Sequence, residues 1–449
     1  MVGTKSFICC FICLTCLFLP HSRAQEKWDL KKCIAYGLEN HGSVQIFANQ
    51  REAAKAVVKE NLAAYMPNIR VDGNIEDNLK VQESVIPAGL FGDHDIRVAF
   101  TKRFNTNASV QLDQTIYDQS LITGLKANKY SDKQAVLQME QNQENLIYQI
   151  STTYYQLFVS KEQLALLNEN LASIKQQQDI TALRVEKGVT TEVDLNKIQV
   201  NYHNILSQIR IAQNNLEYIE NGLKNAMGYP LDRPLPIDSL KVPDAQPALV
   251  YPDSANGFQV ENRTDYQISQ VNSSLAAIDE QRIQMGIIPK VSLFGRYGAI
   301  GFGDQLGPAI NTMSSFSSIG VKVTVPLLDG FKRQAQYKEA KYKYLNAVAS
   351  LKLDEQKYQM EYQNSQNNYF QAQKNIDSDR KNMELAKSVF NITDLQYQKG
   401  VAGLTDWLSA QQSLREAQNN YLQALYNSCL ARIDLAKANG TLKTFYDSL

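Results

Sequence analysis

The side chains of this chain that could do chemistry are few and far apart. His41, His94 and His203 have neither metal-ligand spacing nor neighbouring cysteines. Cys13 and Cys16 have the Cys-x-x-Cys spacing of a dithiol redox pair, but they lie inside an apolar N-terminal run. Gly295, Gly298, Gly301 and Gly303 end a strand-like stretch and lack the strand–helix–strand context of a dinucleotide site. No nucleophile, base or metal cluster forms, so the sequence argues against an enzyme and calls for no cofactor and no metal. Two glycine-centred groups remain, around Gly188 and around Gly400. Glycine there permits the positive φ of a tight reversal between antiparallel helices. Asp194 and Asp406 stand where a carboxylate early in the next helix would complement its N-terminal dipole.

The N-terminus fixes the compartment. Lys5 leads into an apolar run from Phe7 to Leu19, and Ser22-Arg23-Ala24 suits signal peptidase, so residues 1–24 are expected to be a signal peptide. A lipoprotein start at Cys16 fits worse, because Leu14 and Thr15 make a poor lipobox. The exported chain keeps only Cys33 and Cys429, both at apolar positions of helical patterns, where buried free thiols are expected in preference to a disulfide. The whole chain carries 46 Lys+Arg against 46 Asp+Glu, which leaves no positive field for nucleic acid. After the leader, no apolar run is long enough for a membrane-spanning helix.

The most informative feature is an internal repeat. Pro67-Asn-Ile69-Arg-Val71-Asp-Gly73 matches Pro289-Lys-Val291-Ser-Leu293-Phe-Gly295, and Tyr117-Asp118 matches Leu328-Asp329. Lys187-Gly188, Asp194 and Gly228 match Lys399-Gly400, Asp406 and Gly440 at one shared offset. The first repeat (25–228) is expected to hold short helices, strands near 67–76 and 106–117, a long helix over 119–187 and a helix over 190–227. The second (263–440) holds a helix, strands near 290–298 and 317–326, a long helix over 331–399 and a helix over 402–439. Residues 229–262, with six of the twelve prolines, form an irregular connector, and 441–449 a C-terminal tail.

The strands alternate with period two. Ile69, Val71 and Ile75 oppose Arg70, Asp72 and Asn74, and Ala108, Val110 and Leu112 oppose Ser109, Gln111 and Asp113. Such alternation suits either a half-buried sheet or a membrane strand between lipid and a wet lumen. In the helices, apolar residues recur in steps of three and four, from Ile198 through Ile205, Ala212, Ile219 and Ala226, and again from Trp407 through Leu414, Tyr421, Ser428 and Leu435. These seams require partner helices, and the preceding helix offers Ile150, Leu157, Leu164, Leu171 and Ile174. Four amphipathic strands cannot close a barrel alone, and open edges are not tolerated in lipid, so closure demands an oligomer.

In this arrangement the chain resembles the TolC-type outer membrane efflux channels. The likeness runs from Trp28-Asp-Leu30 through the two proline-led strands, Val325-Pro326-Leu327-Leu328-Asp329-Gly330 and both glycine turns. It implies an α+β membrane protein: a homotrimer whose twelve-stranded transmembrane barrel, four strands per chain, continues into a coiled-coil periplasmic tunnel. It also implies an outer membrane location in contact with lipid. The partners implied are a periplasmic adaptor of the membrane fusion type and an inner-membrane transporter of the RND, ABC or MFS type, with no nucleic acid. Adaptor docking would use the helical tips at Arg184, Gly188, Thr191, Lys399, Gly400 and Gly403, and a periplasmic gate would use Tyr397, Asp194 and Asp406. For both aspartates, plain helix capping is the competing role. Two positions depart from the family's pattern: Ala402 stands in place of an arginine and Ser409 in place of a second aspartate. The function implied is a passive conduit for efflux or type I secretion. The alternative is a periplasmic coiled-coil adaptor or scaffold without a channel, which would carry one helical hairpin where this chain has two.

Overall fold

A computed structural model describes residues 28–89, 92–237 and 258–449; the expected signal peptide and most of the proline-rich connector lie outside these residues. The chain runs α1 (Leu30–Asn40), α2 (Gly42–Ala63), β1 (Asn68–Asp77), β2 (Glu83–Ile86), β3 (Ile96–Ala99), β4 (Phe104–Tyr117), α3 (Gln119–Leu125), α4 (Ala127–Glu186) and α5 (Glu192–Met227). It continues with α6 (Thr264–Met285), β5 (Lys290–Gly303), α7 (Leu306–Asn311), β6 (Ser314–Thr324), α8 (Lys332–Gln398), α9 (Leu404–Ala438) and α10 (Leu442–Asp447). Two compact units result, one of residues 47–139 and 265–355, the other of the remainder.

The first unit is built on an antiparallel sheet in the order β1-β4-β5-β6. Register sets its two faces apart. Val71 pairs with Val110, Val110 with Tyr297, and Leu293 with Val321, so these apolar residues share one face, while Phe294, Ile300, Phe302 and Phe316 fall on the other. The first face is bare in the single chain: Val71 is 76% and Ile319 79% exposed. The opposite face carries a polar network, in which Arg70 donates to Asp113 at 2.7 Å and to Asp72 at 3.1 Å. Gln111 donates to Asp113 at 2.9 Å and accepts from Arg296 at 3.3 Å, which ties three strands together. Among the described residues β1 and β6 each pair on one side only.

This unit differs from the sequence expectation in several places. The β1–β4 connection contains its own hairpin, β2 paired with β3, in place of plain loop. The helix expected over 119–187 is interrupted at Lys126, whose N–H turns back to Thr123 and Gly124 carbonyls. Thr123 spends its hydroxyl on Gln119 O, and Gly124 has no side chain where the Arg282 stem passes, so both residues loosen this turn.

The second unit is helical, with two larger cores and a smaller cluster of Tyr369, Ala372, Ala431 and Leu435 among its described residues. Around Cys33, Ile34, Ile150, Leu157, Leu223 and Met227, helices α1, α4, α5, α9 and α10 meet. Gly37 makes room there for the end of the Ile150 side chain, which a Cβ would force to shift. Trp28, Tyr36 and Tyr229 stack edge to face beside this core, with ring centroids 5.4 to 5.6 Å apart. Cys33 and Cys429 are free thiols, and burial pushes both up to about 12. The second core gathers Ile174, Ile198, Ile205, Ile209, Tyr397, Leu404 and Trp407 from α4, α5, α8 and α9. The seams thus find their partners: Ile198, Ile205, Ala212, Ile219 and Ala226 are all buried, as are Trp407, Leu414, Ser428 and Leu435.

Candidate functional site at the helical tips

Both long helices end in the same way. Gly188 adopts φ 66° and Gly400 φ 76°. At the first turn Gly188 N–H bonds to Val185 O and Val189 N–H to Arg184 O; at the second, Gly400 N–H bonds to Tyr397 O and Val401 N–H to Gln396 O. These paired bonds satisfy the last helical carbonyls and need a left-handed residue at the turn. Nothing lies within 4 Å of a Cβ built on either glycine, so the demand for glycine is purely backbone conformation. Gly228 and Gly440 end α5 and α9 with φ 69° and 70°. There a Cβ would also meet backbone, His41 Cα at 3.0 Å and Asn262 O at 2.7 Å.

The helices leaving the turns are capped by different means. Thr191 caps α5, its hydroxyl accepting from Asp194 N at 3.3 Å, while Asp194 Oδ2 accepts from the Thr190 and Thr191 hydroxyls at 2.8 and 3.1 Å. The Thr190 hydroxyl foremost, helped by Thr191 and Lys197, holds the Asp194 carboxyl below its ordinary range against burial, the second-largest influence, which opposes it. Its folded pKa is lower than its unfolded one, so its contribution to the cap is complete above the ordinary carboxylate range. It is lost only as pH falls through the depressed value. Asp406 Oδ2 accepts from Gly403 N at 3.2 Å, the acid closing its own helix start where Gly403 has no side chain to do so.

Tyr397 joins the two tips. Its ring is buried against Trp407, centroids 6.3 Å apart, and Arg184 lies over its other side at 4.9 Å. Arg184 Nη2 donates to Tyr397 O at 3.3 Å and Gln398 O at 3.1 Å, so a cation neutralises the carbonyl end of α8. The Tyr397 hydroxyl meets Thr181 Oγ1 at 3.4 Å. The residues expected to act as a gate therefore do not touch each other within one chain: Asp194 and Asp406 are engaged in their own caps, and Tyr397 is clasped by Arg184. Lys399, Gly400 and Thr191 are exposed beside the turns.

Trp407 was legible as a seam position but its partner was not. Its Nε1 donates to Asp394 Oδ1 at 2.7 Å, and Gln398 Nε2 donates to Asp394 Oδ2 at 2.8 Å. A fully buried indole thus carries its one polar atom to a carboxylate on α8. Thr181, Thr190, Asp394 and Gln398 have no sequence signal of their own; Thr190 serves its local cap, while Thr181 and the Gln398 carbonyl are recruited by the approach of helices far apart in the chain.

Known proteins agree with this architecture. The chain is 22% identical over 414 residues to the outer membrane protein TolC of Vibrio cholerae, covering 90% of this chain and 89% of that protein. Among solved structures it is similar to the outer-membrane channel OprN, with a TM-score of 0.77 at 16% identity, covering 92% of this chain and 90% of that one. The Campylobacter jejuni CmeC outer membrane channel is similar too, with a TM-score of 0.75 at 17% identity and coverage of 92% and 85%. Residues 36–229 and 270–441 match the outer membrane efflux protein family, and the chain belongs to that family.

Proposed function

We propose that this chain is the outer membrane channel of a tripartite efflux or type I secretion system. Its role is to conduct passively what an inner-membrane transporter of the RND, ABC or MFS type and a periplasmic adaptor deliver. The observation that carries the reading is the sheet with one apolar face bare and both edges unpaired. In lipid the bare face is satisfied, but the backbone groups along β1 and β6 are not, and only further copies of the same sheet can pair them. Three copies give a closed twelve-stranded barrel whose polar faces, with Arg70, Asp113 and Arg296, turn to a wet lumen. Such a barrel places the chain in the outer membrane with its helices as the periplasmic extension. The shared Gly188/Gly400 and Gly228/Gly440 geometry fits a duplicated half.

The test is the oligomer. The chain without residues 1–24, purified in mild detergent, is expected to cross-link and sediment as a trimer; a well-folded monomer in detergent-free buffer would overturn the reading.

On this reading the exposed turns meet the adaptor through Arg184, Gly188, Thr191, Lys399, Gly400 and Gly403. Replacing both Gly188 and Gly400 with valine costs on the order of 1 to 3 kcal/mol at each turn, too little to melt long coiled coils yet enough to deform the tips. Inserted trimers that no longer cross-link to the adaptor or complement export are the expected result. Unimpaired export by the double variant would move the docking surface elsewhere.

A further inference from the structure

The two connections at the outer end of the sheet are chemically unlike. The β1–β4 connection carries Lys80, Glu83, Asp93, Asp95, Arg97, Lys102 and Arg103, whereas from Gln305 to Val321 the β5–β6 side has no charged residue at all. That connection begins at Asp304, which accepts from Lys102 Nζ at 2.9 Å, and the uncharged stretch that follows is not free either. Its helix α7 lies on the sheet, with Ala309 wholly buried and Ala309 O accepting from Thr106 Oγ1 at 2.6 Å. The contact depends on two missing side chains. A Cβ on Gly301 would collide with Ala309 O, and one on Gly303 would sit 2.6 Å from Ala309 N.

The face on which α7 rests follows from register. Thr106 pairs with Gly301 and Phe104 with Gly303; two residues along, Ala108 pairs with Ala299, and then Val110 with Tyr297. These pairs all belong to the apolar face, so α7 extends that face at its outer end and leaves Leu306 (41% exposed) and Ile310 (46%) outermost. We infer that α7 is a lipid-facing foot, seated in the headgroup boundary of the outer leaflet, and that this helix takes no part in covering the channel mouth. This rests on the proposed membrane barrel. A helix continuous with a lipid-facing face, without charge and with aliphatic side chains outward, gains free energy by burial in that boundary and would lose it over an aqueous mouth.

The proposal can be read with a thiol-reactive bimane label. Cys33 and Cys429, with thiols pushed up to about 12 by burial, should label poorly at neutral pH, and the parent chain serves as the control for this. Ile310→Cys, Val321→Cys and Val85→Cys are each labelled and reconstituted into phosphatidylcholine vesicles carrying a shallow nitroxide lipid. Position 321 is on the apolar face, paired with Leu293, and position 85 in the charged connection. Loss of most emission at 310 and 321 but not at 85 is the expected result. Quenching at 321 without quenching at 310 would overturn the foot while leaving the membrane barrel intact; absence of quenching at both would instead sink the barrel itself. Adding Gly301→Leu should release α7 and restore emission at 310, with quenching at 321 retained; emission at 310 unaffected by it would contradict the packing on which the inference stands.

Discussion

Replacing Trp407 with alanine is expected to loosen both helical tips at once. The indole is fully buried among residues of α4, α5, α8 and α9, so its removal leaves a cavity where all four helices meet. Large-to-small changes of this kind cost about 3 to 5 kcal/mol, more than any single cap at the tips can contribute. The Asp394 carboxylate also loses its indole donor, keeping only Gln398. Hydrogen exchange resolved along the chain should show lost protection near 174–205 and 390–410, with the distant core around Ile150 and Leu223 unchanged. Trp407→Phe should recover most of the packing but not the bond to Asp394. Exchange rates at the tips unchanged by Trp407→Ala would mean that the tips are held from elsewhere.

The second large effect is expected from Arg184→Ala, read as channel opening. Arg184 holds the carbonyl end of α8 through Tyr397 O and Gln398 O and covers the Tyr397 ring. Hydrogen bonds from a charged donor contribute about 1.5 to 3 kcal/mol when shielded; at this half-exposed site the lower end applies, and in the proposed trimer it would be repeated in each chain. If the tips are the narrow end of the conduit, the variant should raise single-channel conductance in planar bilayers and admit a large antibiotic such as vancomycin, with the trimer intact. Tyr397→Phe removes only the 3.4 Å contact with Thr181 and should have the smaller effect. Asp194→Ala acts on its own cap and should cost about 1 kcal/mol locally. Conductance unaltered in Arg184→Ala would assign closure to contacts between chains. Asp406→Asn is expected chiefly to weaken cation preference, because it removes charge while nearly preserving shape.

What could be read from the sequence was whatever the chain encodes locally. Alternation along Ile69, Val71 and Ile75 marks a strand wherever its partners are, and the three-four spacing from Ile198 to Ala226 marks a seam before its partner is known. The conformational need at Gly188 and Gly400 is equally local. Features set by distant residues were not legible. β5 runs on to Gly303, beyond the expected end near 298, because its glycine-rich end pairs with β4, and α7 looks like a loop until Gly301 and Gly303 make room for it. At the tips, the acceptors of Arg184 lie on the other long helix and no spacing announces them. Sequence likeness grouped Tyr397 with Asp194 and Asp406; in the chain each has nearer partners, and any contact among them belongs to the assembled channel.

The strand order also dictates a folding sequence. β1 pairs with β4 and β5 with β6 across connections far shorter than the segment from α3 to α6, so each half can pair its two strands early and by itself. The β4–β5 seam is different: Thr115 and Ser292 become neighbours only after everything from α3 to α6 has been synthesised and brought back. Closing so long an intervening segment adds an entropic delay, during which four strand edges, not two, stand open. A newly exported chain thus passes through a stage with two separate hairpins, each presenting an apolar face to water. That stage, and not the finished sheet, is where a periplasmic chaperone would have the most to hold.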